Sequence, residues 1–317
     1  MNTVNVTERL SSDEILILDG AIGTEIARLG ADMHSSAWCG VANKTHPEIV
    51  RKVHEEYLKA GADVITANTF TTCRHTLAGA GLEEESSALT RRAVELAREA
   101  IDNVSLDREV LIAGSMSNMV SFIPGSASQD PRFVPSEEEE SDNYFDMAES
   151  LKKAGADVIL LEMMIRIPNA RRLAEAALSV GLPVWIGMSC CLTQDKKLAA
   201  WDMHVAEPHL LDPTDKEGDI VPLDPLIEAM VAFEPQVMGM MHSDVDAIGP
   251  GTEALKEKWS GLLMGYPEAN GEHKVSPDVF AERVSNLVSQ GVQIVGGCCG
   301  TTIEHIQAMV SLLKPQS

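Results

Sequence analysis

Two adjacent cysteines near the end of the chain are the residues with the clearest capacity for chemistry. Cys298 and Cys299 lie in the glycine-rich run 296–302, which follows the apolar residues 292–295 and precedes an amphipathic segment, 303–310. This order predicts a strand, a tight turn and a helix. Neighbouring side chains of a strand point to opposite faces, but beyond the strand the glycines allow both thiols to face one point. The pair fits two ligands of a zinc site with one open position, and two small, buried, inert side chains are the alternative.

Composition and charge exclude several classes of protein. The chain has 317 residues, of which 44% are hydrophobic, and this is enough for one large domain. It contains no run of about 20 apolar residues that could span a membrane, and residues 1–14 lack the apolar core of a signal peptide. The formal net charge of −23 argues against nucleic acid or an anionic membrane surface as a partner. Six cysteines, with two adjacent pairs, indicate metal binding or catalysis in a reducing cytoplasm rather than a disulfide framework.

Short apolar runs alternate with amphipathic segments along the chain. Strands are predicted at residues 15–18, 63–70, 110–115, 157–162, 183–188, 237–241, 261–264 and 292–295. Helices are predicted at residues 47–60, 83–103, 136–154, 168–180, 223–233, 251–258, 277–290 and 303–310. This alternation implies parallel strands buried on both faces. Eight such units predict an α/β protein with a single (β/α)8 TIM barrel over residues 1–317. A doubly wound open sheet is the alternative, but no Gly-x-Gly-x-x-Gly follows the first strand.

The residues that could perform chemistry follow the predicted strands. Active sites of such barrels lie at the C-terminal ends of the strands, so these side chains would share one mouth: Asp19, Asn68, Thr69, Ser115, Glu162, Cys190, Cys191, His242, Tyr266, Cys298 and Cys299. His242 would complete a Cys2His zinc site, and Cys190 and Cys191 are the competing third ligands. Glu162 is polar at the end of an apolar strand, which favours a functional role over a structural ion pair. Asp19 precedes Gly20 and could equally stabilise a turn.

These motifs together resemble the homocysteine S-methyltransferase family, which includes the betaine-homocysteine methyltransferases and the homocysteine-binding module of cobalamin-dependent methionine synthase. The similar segments are residues 19–24, residues 43–70, Leu161-Glu162, and residues 296–302 with His305-Ile306. The resemblance implies a (β/α)8 barrel that transfers a methyl group to the thiolate of homocysteine, giving methionine. It also implies Zn2+ as the cofactor, held in such enzymes by three cysteines.

The resemblance assigns roles to particular residues. Asp19 and Glu162 would hold the ammonium group of homocysteine, and the backbone near Ala21 and Ile22 would meet its carboxylate. Asn68 and Thr69 are the remaining predicted substrate-binding residues. The predicted metal ligands are His242, Cys298 and Cys299. No side chain is assigned as a catalytic acid or base, because the metal activates the substrate thiol.

The sequence departs from the family pattern in three places. After the sixth strand, His242 stands where the family has its third cysteine ligand. The third-strand motif 114–118 lacks the usual proline-glycine continuation, and a polar insertion, 192–221, replaces a short segment. A neutral imidazole in place of a thiolate makes the metal complex one unit less negative, so we expect a lower acceptor pKa and a less nucleophilic bound sulfur.

These departures leave the methyl donor open. Betaine, S-methylmethionine or another onium compound would need aromatic faces, for which the candidates are Trp38, Phe70, Trp201 and Tyr266. A methyl-corrinoid protein is the other donor class, in which case the chain would be the homocysteine-binding subunit of a split methionine synthase. A divergent barrel metalloenzyme acting on another thiol or methylated compound, and a non-catalytic zinc- or thiol-binding module, are the further alternatives.

Overall fold

The structure, a computed structural model, describes residues 9, 14–33, 36–124, 129–193, 196–201, 221–269 and 275–314. In these residues the strands, numbered in chain order, are β1 (Leu16–Ile17), β2 (Val64–Ala67), β3 (Leu111–Ser117), β4 (Val158–Met164), β5 (Val184–Leu192), β6 (Leu198–Ala200), β7 (Val221–Pro222), β8 (Val237–Asp244), β9 (Leu262–Glu268) and β10 (Ile294–Val295). The α-helices are α1 (Ile22–Arg28), α2 (Ala42–Thr45), α3 (Pro47–Ala60), α4 (Arg74–Leu77), α5 (Ser86–Val104), α6 (Glu137–Ala154), α7 (Ile167–Ser179), α8 (Leu223–Val231), α9 (Val245–Lys256), α10 (Pro277–Ser289) and α11 (Ile303–Leu313).

Eight of these strands form a parallel barrel. Their order around the sheet is β1-β10-β9-β8-β5-β4-β3-β2. The ring closes between its two end strands, because Leu18 forms a parallel bridge with Val64 and the Asp19 amide donates to the Val64 carbonyl at 3.0 Å. The chain is therefore a single (β/α)8 TIM barrel, as the alternation predicts, and the doubly wound alternative is wrong.

The helices surround the barrel and pack their apolar faces on it. The helix predicted at 47–60 is confirmed at both ends, with Pro47 in its first turn and Gly61 after its last residue, in the left-handed region at φ 108°. Helix α6 is capped by Ser136, whose hydroxyl accepts from the Glu139 amide while the Glu139 carboxylate accepts from the Ser136 amide. These caps satisfy backbone groups that a helix end leaves unpaired.

The motif Ala-Gly-Ala-Asp-Val-Ile occurs twice in the sequence and has the same structural role in both places. Its glycine ends a helix, with φ of 108° in one copy and 88° in the other. Its aspartate lies just before a strand and fastens that strand to the preceding one. Asp63 Oδ2 accepts from the Ile17 amide at 2.8 Å, and Asp157 Oδ2 accepts from the Ile112 amide at 2.8 Å.

Several predicted boundaries are wrong. Strand β5 continues to Leu192, so Cys190 and Cys191 lie within it rather than after it. Strand β4 continues to Met164, so Glu162 lies inside the strand rather than at its end. The helix predicted at 251–258 begins at Val245, because the Asp244 side chain accepts from the Asp246 amide at 2.8 Å and the helix continues through Pro250. The Gly-Pro-Gly sequence around Pro250, which usually indicates a break, lies inside the helix.

The polar insertion begins as a small antiparallel extension of the barrel. Strand β6 pairs with β5, and β7 pairs with β6, both antiparallel. Residues 202–220 of the insertion lie outside the described part of the chain. In the described part, none of the helices combines the length and the hydropathy that crossing a bilayer requires.

Candidate active site

A cavity of about 540 Å³ opens at the C-terminal ends of the barrel strands. Most of the predicted site residues line it: Asp19, Ala21, Ile22, Asn68, Glu162, His242, Cys298 and Cys299. Thr69 does not line the cavity. Its buried hydroxyl donates to the Ser115 carbonyl at 2.7 Å, which ties the end of β2 to β3.

Three side chains in this cavity form a cluster with the composition of a zinc site. His242 Nδ1 lies 3.5 Å from Cys298 Sγ and 3.4 Å from Cys299 Sγ, and the three ligand atoms lie within 4.8 Å of one another. A tetrahedral ion with Zn–N near 2.1 Å and Zn–S near 2.3 Å separates nitrogen from sulfur by about 3.6 Å. The observed nitrogen–sulfur distances therefore fit a Cys2His site, and no other group of three His, Cys, Asp or Glu side chains within the described ranges shows comparable spacing.

Each of the two thiols changes the pKa of the other. A hydrogen bond from Cys298, aided by the nearby His242 imidazole, holds the pKa of Cys299 well below that of an ordinary thiol. The same interaction, together with burial, raises the pKa of Cys298. These shifts favour the thiolate form of Cys299, which is the form that binds a metal ion.

A bulge in β8 directs His242 toward these thiols. The pairing of β8 with β9 shifts register between Met241 and Asp244, and His242 adopts a left-handed φ of 44°. Bulges next to active sites commonly redirect a side chain in this way, and a non-glycine residue in the left-handed region stores strain. Two hydroxyls hold the bulge, since Ser189 Oγ donates to the His242 carbonyl at 2.8 Å and Ser243 Oγ donates to the Met241 carbonyl at 2.7 Å.

Two carboxyl groups share the cavity with the cluster of His242, Cys298 and Cys299. Asp19 accepts from the Thr66 amide at 2.7 Å and from the Thr66 hydroxyl at 2.8 Å, while Glu162 accepts from Ser115 Oγ and, at 3.3 Å, from Tyr266 Oη. Burial raises the pKa of each carboxyl to about 7. Neither Asp19 nor Glu162 forms an ion pair with another residue in the described part of the chain. Two carboxylates without a cation in a buried cavity create a site for a positively charged ligand group.

Comparison with known proteins assigns the chain to a family. The sequence model described as homocysteine S-methyltransferase matches residues 16–313. The chain belongs to the homocysteine S-methyltransferase family. A homocysteine S-methyltransferase of Escherichia coli strain K12 is 26% identical over 323 residues, which cover 95% of this chain and 96% of that protein.

Solved structures show the same fold. The metallated crystal form of the homocysteine methyltransferase MmuM from Escherichia coli has a TM-score of 0.74 at 22% identity, covering 98% of this chain and 100% of that one. The oxidized form of MmuM has a TM-score of 0.75 at 24% identity, covering 96% and 97% of the two chains. The predicted family and barrel are thereby confirmed, and this member of the homocysteine S-methyltransferase family is a methyltransferase.

The loop that the family resemblance assigns to the substrate carboxylate is fastened to the turn that carries Cys298 and Cys299. The Ala21 amide donates to Thr301 Oγ1 at 3.1 Å, and Thr301 Oγ1 donates to the Cys298 carbonyl at 2.6 Å. Tyr57 Oη donates to the Ala21 carbonyl at 3.2 Å. The Ala21 amide is thus already engaged, whereas Ile22 is the first residue of α1, where an amide has no partner within its helix.

Gly20 is required for this arrangement. A Cβ atom at Gly20 would lie 2.7 Å from Tyr57 Oη and 2.9 Å from Thr301 Oγ1. The hydroxyls of Tyr57, Thr66 and Thr301 are the site-supporting groups that sequence reasoning missed. All three residues lie inside segments that resemble the family, but the sequence alone assigns them no role.

Cys190 and Cys191, the competing third ligands, do not join the cluster. Strand β5 continues through both of them, so their side chains point to opposite faces. Cys190 Sγ donates to the Ala247 carbonyl at 3.7 Å and its amide donates to Ser243 Oγ at 2.9 Å. These contacts direct Cys190 toward α9 rather than into the cavity.

The four aromatic residues predicted to hold a cation have different surroundings. Trp38 and Phe70 line the cavity and contact each other edge to face, with ring centroids 6.0 Å apart. Tyr266 also lines the cavity and donates to Glu162. Trp201 stacks on the His242 ring. Trp38, Phe70 and Tyr266 therefore line the cavity, whereas Trp201 is not among its lining residues.

Proposed function

We propose that this enzyme transfers a methyl group to the thiol of homocysteine, giving methionine, with Zn2+ held by His242, Cys298 and Cys299. The observation that supports this proposal is the sharing of one cavity by a Cys2His cluster and two carboxylates that have no cationic partner among the described residues. Homocysteine has a thiol for the metal and an ammonium group for Asp19 and Glu162. The cavity offers both kinds of contact.

A free thiol needs activation to accept a methyl group. With a pKa of about 8.5, only a few per cent of it is thiolate at pH 7, and the thiolate is the nucleophile. Bound zinc deprotonates a coordinating thiol, which raises the nucleophile population about 30-fold, or about 2 kcal/mol. The two cysteines and the imidazole would hold the ion with one position open for the substrate sulfur.

The carboxylates orient the amino acid. An ammonium group near Asp19 and Glu162 lowers the pKa of both from about 7 toward ordinary values, because it favours their charged forms. The hydroxyls of Thr66, Ser115 and Tyr266 fix the two carboxylates in place. Homocysteine bound at both ends would present its sulfur in a fixed position, and such positioning contributes to the rate beyond ionisation.

We further propose that the methyl donor is a small onium compound. A cation is attracted to aromatic faces, and Trp38 and Phe70 provide such faces in the cavity. The cavity volume of about 540 Å³ lies in the range of small-molecule sites, about 300–1,000 Å³. The thiolate would attack the methyl carbon, and the bond from that carbon to the onium atom would break, with the bonding electron pair staying on that atom and cancelling its positive charge. We also propose a cytoplasmic location, which the six free cysteines support.

Metal content and methyl transfer together test this proposal. We expect one zinc per chain in the natural protein and a large loss of zinc in His242→Ala, Cys298→Ala and Cys299→Ala. The zinc-loaded protein should then produce methionine from homocysteine with S-methylmethionine or betaine alone. Production only with a methyl-corrinoid protein would replace the small donor by the split-synthase alternative. A protein that contains no zinc and methylates no thiol would refute the proposal.

A further inference from the structure

The insertion after β5 places an indole ring on the predicted third metal ligand. Strand β6 folds back along β5, with Ala200 opposite Cys190, and the chain then reaches Trp201. The Trp201 and His242 rings are stacked, with centroids 5.1 Å apart and an angle of 6° between their planes. Both side chains are buried, with exposed fractions of 8% and 3%.

One residue, Ser189 in β5, forms hydrogen bonds with the backbones of both Trp201 and His242. The Trp201 amide donates to the Ser189 carbonyl at 3.1 Å. The Ser189 hydroxyl donates to the His242 carbonyl at 2.8 Å. The stack is therefore joined through two hydrogen bonds to a single buried residue.

The imidazole of His242 needs such support. Its Nδ1 faces the two thiols, whereas its Nε2 is buried and has no hydrogen-bond partner among the described residues. A metal-binding histidine usually donates its second N–H to a carboxylate, a carbonyl or water, and this hydrogen bond fixes the plane of the ring. His242 also lies on the bulge of β8 with a left-handed φ of 44°, so its side chain does not follow the regular alternation of a strand.

We infer that Trp201 is a positioning residue for the metal ligand His242. The flat indole face holds the imidazole in the plane in which Nδ1 points at the thiols. This inference rests on the metal site of the proposed function. It also connects two departures from the family pattern, His242 and the insertion 192–221. The insertion carries the indole that orients a histidine ligand, and a cysteine ligand does not require one.

A cysteine ligand has no ring whose plane must be fixed, whereas a histidine ligand has one. This difference distinguishes a positioning role of Trp201 from simple packing. If Trp201 only packs against the barrel, its removal affects metal binding equally whichever residue occupies position 242. If it orients the imidazole, its effect disappears when position 242 is a cysteine. A double-mutant comparison therefore isolates the interaction.

The experiment measures zinc affinity by competition with a chelating dye. Trp201→Leu should raise the zinc Kd about 10-fold or more, in the range seen when the outer partner of a metal-bound histidine is removed. Trp201→Phe, which retains an aromatic face, should raise it less. In the His242→Cys background, Trp201→Leu should change the Kd less than about 3-fold. Trp259→Leu is the matched control, because Trp259 donates to the Leu262 carbonyl at the start of β9, remote from the cavity.

A second measurement covers variants that bind zinc too weakly for the dye. The absorption spectrum of the Co2+-loaded protein reports the coordination geometry directly, and Trp201→Leu should alter its visible bands while Trp259→Leu does not. Unchanged zinc affinity and an unchanged Co2+ spectrum in Trp201→Leu would overturn the inference while leaving the proposed function intact. An equal loss of affinity in both backgrounds would also overturn it. Absence of metal binding in the natural protein would refute the inference and the proposed function together.

Discussion

Replacement of Glu162 by glutamine should weaken homocysteine binding without removing the metal. Glu162 accepts two hydrogen bonds, from Ser115 Oγ and Tyr266 Oη, and it has no cationic partner in the described structure. Glu162→Gln removes the negative charge that would face the substrate ammonium, and the new amide NH2 cannot accept from one of the two hydroxyls. A hydrogen bond to a charged group contributes about 1.5–3 kcal/mol. We therefore expect the homocysteine Kd to rise about 10-fold to 150-fold.

Calorimetric titration of the zinc-loaded protein at pH 8 measures this change. The control ligand is 4-mercaptobutanoate, which is homocysteine without its amino group. Its affinity should be the same for the natural protein and for Glu162→Gln, because it places no ammonium near the carboxylate. Glu149→Gln, in the exposed part of α6, controls for the loss of one negative charge. An equal loss of affinity for both ligands, or no loss for homocysteine, would refute the assignment of Glu162.

Three further predictions follow from the same contacts. His242→Cys should raise the acceptor pKa in the pH profile of methyl transfer, because a third thiolate makes the metal less electron-withdrawing; identical profiles would contradict this. Thr301→Val should raise the homocysteine KM several-fold with zinc retained, since the hydroxyl joins the substrate loop to the metal turn, and Thr301→Ser should restore the KM. Because burial raises the pKa of Asp19 and Glu162 to about 7, the folded protein binds more protons than the unfolded chain between about pH 4 and 7. Their contribution to the free energy of unfolding therefore falls as pH rises through this range, and urea unfolding at pH 5, 6 and 7.5 should show a weaker fall for Asp19→Asn than for the natural protein.

The barrel could be predicted from the sequence because its strands are local features. Each buried parallel strand is a short apolar run, and each helix has an apolar face with a recognisable start or end, as at Pro47 and Gly61. The convergence of Asp19, Glu162, His242 and the two cysteines on one cavity follows from the barrel itself. The C-terminal ends of parallel strands meet at one mouth whatever their separation in sequence.

The details of the site could not be predicted, because they depend on contacts between distant segments. The bulge that directs His242 arises from the pairing of β8 with β9 and from hydroxyls on β5 and β8. The engagement of the Ala21 amide depends on Thr301, which is 280 residues away. Thr69 follows β2 and has the residue type of a ligand-binding group, yet its hydroxyl turns to the neighbouring strand. No local periodicity distinguishes these outcomes.

The histidine at position 242 is the feature that most distinguishes this site from the pattern of its family. Its nitrogen–sulfur distances of 3.5 and 3.4 Å fit a tetrahedral ion, so the histidine is compatible with the proposed three-ligand site. The charge of a metal bound there would be more positive than with three cysteines. Such a metal centre would hold a thiolate more tightly, which suits the onium donor of the proposed function.

X-ray absorption at the zinc edge tests the central claim most directly. The account predicts two sulfur neighbours near 2.3 Å and at least one nitrogen neighbour near 2.1 Å in the natural protein. Addition of homocysteine should raise the number of sulfur neighbours from two to three, and methionine should not. A sulfur number that stays at two after homocysteine is added, at a concentration that saturates binding, would contradict the account.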